Sequence, residues 1–246
     1  MSNLQSSIIT AGIILAGFFG AKAQTADEII QKHITAIGGM DNWKKVNSIT
    51  MAASTNANGT EIPIKITVQQ GKGMKVEYTV NGMTGYSIIT DKTGWNYSPF
   101  GGQDKAEVIP DDMIKQAQDQ LDIQGPLVDY KAKGNKVTAL GKDEVEGTEC
   151  YKLKVTYASG KEETMYIDAA SYMHIRSVEK IKANGKETVQ TSNYGNYQKL
   201  PEGIMFPMSL DQGGGPMALK SVEVNKPIAE NFFKPSEVAK KTDVKK

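Results

Sequence analysis

Met165-Tyr166-Ile167-Asp168-Ala169-Ala170-Ser171-Tyr172-Met173-His174-Ile175-Arg176-Ser177-Val178-Glu179 reads as a strand, a polar turn of roughly four to six residues and a second strand. The same pattern recurs along most of the chain. Ile62, Ile64, Ile66 and Val68 alternate with Pro63, Lys65, Thr67 and Gln69, and Met74, Val76, Tyr78 and Val80 alternate with Lys75, Glu77 and Thr79. Tyr151, Leu153, Val155 and Tyr157 do the same against Lys152, Lys154 and Thr156. A period of two marks strands with one apolar and one wet face. Asn58-Gly59, Asn81-Gly82, Asn184-Gly185 and Asp91-Lys92-Thr93-Gly94 supply the positive φ of tight hairpin turns.

Consecutive hairpins make an antiparallel meander, and a long twisted sheet with an apolar face curls. The expected fold is mainly β: an antiparallel half-open barrel of about eleven strands, with short helices covering the concave apolar face. Ile64, Ile66, Val76, Tyr78, Leu153 and Val155 are expected to point into the concavity, with Lys65, Lys75, Lys152 and Lys154 outward.

Two stretches depart from the strand period. Thr25-Ala26-Asp27-Glu28 has the capping-box form, and Ile29, Ile30, His33, Ile34 and Ile37 recur at helical spacing until Gly38-Gly39. His33 on that stripe reads as a satisfied core histidine rather than a ligand. A long break then separates Trp95-Asn96-Tyr97 from a strand starting near Lys136. Within it Pro99-Phe100-Gly101-Gly102 is a loop, Pro110-Asp111-Asp112 starts a helix through about Leu121, and Gly125-Pro126 stops it. Met113, Ile114, Ala117 and Leu121 give this helix an apolar side, so the segment is expected to cover and gate the concave face. Trp95, Met113, Ile114 and Leu121 therefore join the expected cavity lining.

Residues 1–23 read as a signal peptide. The apolar run Ile8 to Phe19 precedes Ala21-Lys22-Ala23, a small-x-small triplet that places cleavage before Gln24. Residues 24–235 then form one domain and 236–246 a basic tail, and the mature protein is expected to be soluble in the periplasm. The formal net charge of +1 falls to 0 once Lys22 is removed, which gives no electrostatic basis for a nucleic-acid partner. Cys150 is the single cysteine, so no internal disulfide forms; it falls on the polar face opposite Leu153 and reads as an inert thiol.

Catalytic signatures are sparse. His33 and His174 are the only histidines, too few for a paired-histidine metal motif, and no Gly-x-Ser-x-Gly elbow or phosphate-binding glycine loop occurs. No metal, cofactor or catalytic residue is expected. Asp111-Asp112 is explained by the helix macrodipole, and Gly213-Gly214-Gly215 by a flexible turn. Met74, Met83, Met113, Met165, Met205 and Met208 suit either an adaptable ligand surface or ordinary core filling. Arg176, the only arginine, is a candidate lid latch through backbone carbonyls, or the partner of a nearby Glu.

Several loose motifs together resemble the lipoprotein-sorting (Lol-type carrier) superfamily, especially outer-membrane lipoprotein-sorting-like members of Bacteroidota type. They are Ala26-Asp27-Glu28-Ile29-Ile30-Gln31-Lys32-His33 with Gly38-Gly39, Asp91-Lys92-Thr93-Gly94-Trp95, Gly125-Pro126-Leu127-Val128-Asp129-Tyr130 and Gly147-Thr148-Glu149-Cys150-Tyr151-Lys152-Leu153. Tyr166-Ile167-Asp168, Tyr194-Gly195-Asn196-Tyr197 and Gly203-Ile204-Met205-Phe206-Pro207 complete the set. The resemblance implies a half-open barrel whose helices lid an apolar cavity for acyl chains. It also implies an acylated lipoprotein or lipid as partner, with inner-membrane donor and outer-membrane acceptor complexes. The leading expectation is a non-enzymatic carrier or binding protein. An envelope interaction or stress-sensing module without a carried lipid, and a hydrolase with an unrecognised site, are its rivals. Co-purifying lipid favours the first, a dry filled core the second and a clustered acid–base pair the third.

Overall fold

The computed structural model describes residues 24–57, 59–183, 186–213 and 215–235. The expected signal peptide, the turn positions Asn58, Asn184-Gly185 and Gly214, and the basic tail lie outside the described residues.

Thr25 Oγ1 accepts the Glu28 amide at 3.2 Å, and Glu28 Oε2 accepts the Thr25 amide at 2.9 Å. This closed capping box starts α1 (Ala26–Ala36), whose buried stripe is Ile29, Ile30, His33 and Ile34. Gly38, at φ +108°, turns the chain straight into α2 (Met40–Lys44), a short helix that the sequence pattern did not announce. A side chain at Gly38 would collide with the Gly203 carbonyl oxygen and come within 2.8 Å of Ile204 Cα. The turn therefore needs glycine both for its conformation and for its packing. Trp43 of α2 is buried, and its Nε1 donates to the Ile37 carbonyl at 2.9 Å.

The strands are β1 (Ser48–Ala57), β2 (Thr60–Gln69), β3 (Gly73–Val80), β4 (Met83–Thr90), β5 (Gly94–Tyr97) and β6 (Glu107–Val108). After α3 (Asp111–Ala117) and a 3-10 turn (Gln118–Leu121) come β7 (Lys136–Val145), β8 (Thr148–Thr156) and β9 (Glu162–Asp168). The last four are β10 (His174–Ala183), β11 (Lys186–Lys199), β12 (Met205–Asp211) and β13 (Pro216–Val224). All join one antiparallel sheet in the order β6-β5-β4-β3-β2-β1-β13-β12-β11-β10-β9-β8-β7. The described strands number thirteen rather than the expected eleven or so. One of them, β6, lies inside the segment expected to hold only loop and helix.

The strand order explains the half-open shape. The chain meanders to one edge at β6, crosses to the opposite edge at β7, and returns until β13 pairs with β1. β6 and β7 do not pair, so the sheet is not closed. Residues 109–135 carry that crossing from edge to edge. The edges themselves are guarded against further pairing: β6 is two residues long, and β7 carries exposed Lys136, Lys142, Asp143 and Glu144 and an irregularity between Ala139 and Lys142.

The core lies between α1, α2 and the inner face of β7 to β9. Ile29, Ile30, Ile34 and Trp43 cluster with Leu127, Val128, Leu153, Val155, Met165 and Ile167. Two outer-face expectations need correction. Lys75 is buried, with Glu77 at 2.9 Å and its ammonium 5.3 Å and 5.0 Å from the ring centres of Tyr86 and Phe232. Phe233 fills the space beside Gly73, so the segment after β13 folds over the outer face of β3 and β4. Cys150 is also fully buried rather than on a wet face, and burial pushes its thiol pKa up, which leaves it inert.

Candidate functional site: an amphipathic cavity

A cavity of about 590 Å³, open on one side, lies on the inner face of the sheet. Its apolar half is built from three directions. β1 to β3 contribute Ile49, Met51, Ile66, Val68 and Met74; α1 and α2 contribute Ile37 and Trp43; the crossing segment contributes Ile123, Leu127 and Val128. Met205 and Phe206 close this half, with the Phe206 ring 6.5 Å from that of Trp43.

Strand register extends the apolar floor beyond the cavity. Ile66 pairs with Met51 and Val76, Ile64 with Ala53 and Tyr78, and Leu210 with Met217. Paired residues share a face, so Ile64, Val76 and Tyr78 continue the surface begun by Val68 and Met74. All three are half-buried, forming a trough that solvent still reaches.

The second half of the cavity is polar. Asp119, Tyr157, Lys161, Glu163, His174, Ser177, Glu179, Gln190, Ser192 and Tyr194 line it. Glu163 accepts from the Tyr157 hydroxyl through one oxygen and from the Ser177 hydroxyl through the other. Lys161 Nζ lies 2.6 Å from Glu179 and 3.9 Å from Asp119. Burial raises the pKa of Asp119, and likewise those of Tyr157, Tyr194 and Tyr197.

Both histidines border the cavity, and both are held neutral chiefly by burial. For His174 the pKa falls to about 3, with His33 adding to the effect. A carbonyl only accepts, so the contacts fix the protonated nitrogens. His33 donates from Nδ1 to the Tyr172 carbonyl at 2.8 Å, and His174 from Nε2 to the Arg176 carbonyl at 3.0 Å. The Ser177 oxygen is 2.9 Å from that same His174 nitrogen. Serine, histidine and glutamate thus meet here, but in the wrong order for nucleophilic catalysis. The carboxylate accepts the serine hydroxyl's hydrogen bond, and the nitrogen facing the serine already carries a proton.

The residues expected at the site divide into groups. Ile66 lines the cavity, and Ile64, Val76 and Tyr78 lie along the trough, where Tyr78 packs against Phe100 with ring centres 5.5 Å apart. Leu153 and Val155 share the inner face with cavity-lining Met165 and Glu163, yet they are fully buried in the core cluster with α1. Ile114 and Leu121 are buried where the crossing segment meets the sheet, Ile114 filling the space beside Gly94. Met113 points to solvent at 55 % exposure.

Trp95 pairs with Ile88, which pairs with Lys75, and so sits on the outer face. Of the two readings of Arg176, the structure shows the glutamate pairing and not the backbone latch. Its Nε donates to Asn193 Oδ1 at 2.6 Å and its Nη2 to Glu146, on the face opposite the cavity, because β10 turns Ser177 and Glu179 inward. The polar wall itself was missed. Two signals were visible: Tyr157, which continues the alternation of Leu153 and Val155, and Glu163, two residues from Met165 and therefore on the same face.

The described residues form an open antiparallel sheet with helices packed into its concavity and a cavity left beside them. Three solved structures show the same fold. An outer membrane lipoprotein-sorting protein domain from Vibrio parahaemolyticus superposes with TM-score 0.52 at 12 % identity, covering 84 % of this chain and 95 % of its own. A LolA superfamily protein from Nitrosomonas europaea gives TM-score 0.54 at 11 % identity, with 85 % and 98 % covered. A DUF1329 family protein from Desulfovibrio piger gives 0.52 at 13 %, with 85 % and 96 % covered. The likeness is one of fold. No protein-family model and no curated protein matches the sequence.

Proposed function

We propose that this chain is a non-enzymatic periplasmic carrier or binding protein for the acyl chains of a lipoprotein or another lipid-like ligand. The observation that carries the reading is the open cavity of about 590 Å³ continued by an apolar trough, a concave surface on which an acyl chain can be buried. The volume lies within the roughly 300–1,000 Å³ of small-molecule sites. Each methylene taken from water there contributes about 0.8 kcal/mol, so one long chain gives useful affinity without any reaction.

Met51, Met74, Met165 and Met205 in the wall suit chains of variable shape. Release then requires a second apolar acceptor or movement of the segment from Pro99 to Pro126, which is the proposed gate. Donor and acceptor complexes in the two membranes belong to the same proposal. The Ala21-Lys22-Ala23 triplet supports export with cleavage before Gln24.

Titration with a fluorescent long-chain acyl probe tests the reading. The wild-type chain is expected to bind the probe, and Ile66→Asp, which places a carboxylate in the apolar half, to bind it about tenfold or more weakly. Absence of binding by a folded wild-type chain, or unchanged affinity in a folded variant, contradicts it.

A further inference from the structure

We infer that the polar half of the cavity selects amphiphiles whose head carries a protonated amine and disfavours those with a carboxylate head. The inference rests on the acyl-binding reading and narrows it to a class of head group. A carrier of bare hydrocarbon has no use for such a wall, because charged groups away from water are costly unless paired.

The wall holds three carboxylates, Asp119, Glu163 and Glu179, against the single ammonium of Lys161. That ammonium is already engaged at 2.6 Å by Glu179. Glu163 is bonded through both oxygens, whereas the nearest cation to Asp119 is Lys161 at 3.9 Å, too far for a hydrogen bond. Carboxylates outnumber the ammonium even when Asp119 is protonated. His33 and His174 do not offset the excess, because each is neutral and each keeps one ring nitrogen bare. The wall therefore offers acceptors and negative charge.

A primary ammonium brings three donors and the opposite charge, whereas a carboxylate brings more acceptors and like charge. Ile66 and Met74 line the same cavity as Asp119 and Glu179, so a chain seated on the first pair can present its head to the second.

Displacement of the fluorescent acyl probe at pH 7 by dodecylamine, dodecanol and dodecanoate tests this. The mature chain is formally uncharged, so bulk attraction does not create the preference. Dodecylamine is expected to displace the probe at about tenfold lower concentration than dodecanoate, with dodecanol between. Asp119→Asn, at a half-buried side chain without a hydrogen bond, is expected to narrow that ratio with the melting temperature retained. Glu179→Gln is expected to narrow it further. Equal or tighter binding of dodecanoate overturns the inference, as does an undiminished amine preference in the folded Asp119→Asn chain. If the probe itself does not bind, the acyl-binding reading fails; if the probe binds and dodecylamine does not displace it, this inference alone is overturned.

Discussion

Among single side chains, His174 ties the cavity to the stability of the fold. Its imidazole ring centre lies 4.5 Å from that of Tyr194, and its own carbonyl accepts the Tyr197 hydroxyl at 2.7 Å. Unfolded, it binds a proton near pH 6.5; folded, only near pH 3. Between those values the unfolded state binds more protons, so this contribution is complete above pH 6.5 and is lost as the pH falls toward 3. His174→Asn is therefore expected to flatten the acid limb of melting temperature against pH across that window. An unchanged slope contradicts the assignment.

The same ring shows what was legible at this scale. Alternation placed Ile64, Ile66, Val76 and Tyr78 on one face, and the register agrees, because those strands have an apolar inside and a wet outside. In β10 the rule inverts: Ser177 and Glu179 face the cavity while Val178 shares the outer face with Arg176. Hydrophobicity assigns faces correctly only where the inside is uniformly apolar. One wall of this cavity is not, so its residues read as surface.

At the scale of elements, the crossing segment is the part whose role depends most on its attachments. The Gly71 amide donates to the Leu121 carbonyl at 2.9 Å, and Gln70 bonds both Asp122 at 2.8 Å and the Ile123 amide at 2.7 Å. Lys133 Nζ reaches Asp122 at 2.6 Å and the Gly125 carbonyl at 2.9 Å. Asp122 thus pins the segment to the turn between β2 and β3 and to the approach to β7. Asp122→Ala is expected to speed amide hydrogen exchange over residues 121–125 while leaving the strands protected. Unchanged exchange there would place the anchor elsewhere. Pro110 and Gly125-Pro126 made the helix and its limits visible in advance. That the segment joins opposite edges of the sheet was not visible, because strand order is a long-range property that local periodicity does not encode. The packing of Phe232 and Phe233 on the outer face escaped notice for the same reason.

Over the whole molecule, one long meander leaves two guarded edges, a core packed against part of the concavity, and an unfilled remainder lined by apolar residues on one side and polar ones on the other. The hairpin pattern was enough to foresee the open curled sheet. The division of its interior between packed core and cavity was not, since Leu153 and Ile66 occupy equivalent places in equivalent alternations. What separates them is where α1 and α2 dock. A chain folded in this way is expected to keep a ligand through purification when one is present in its compartment. Native mass spectrometry of gently purified protein tests that most directly. A second species heavier by the mass of one chain-bearing lipid is expected, which disappears after organic extraction and returns on incubation with a lipid extract. A single species at the bare protein mass, unchanged by that incubation, contradicts it.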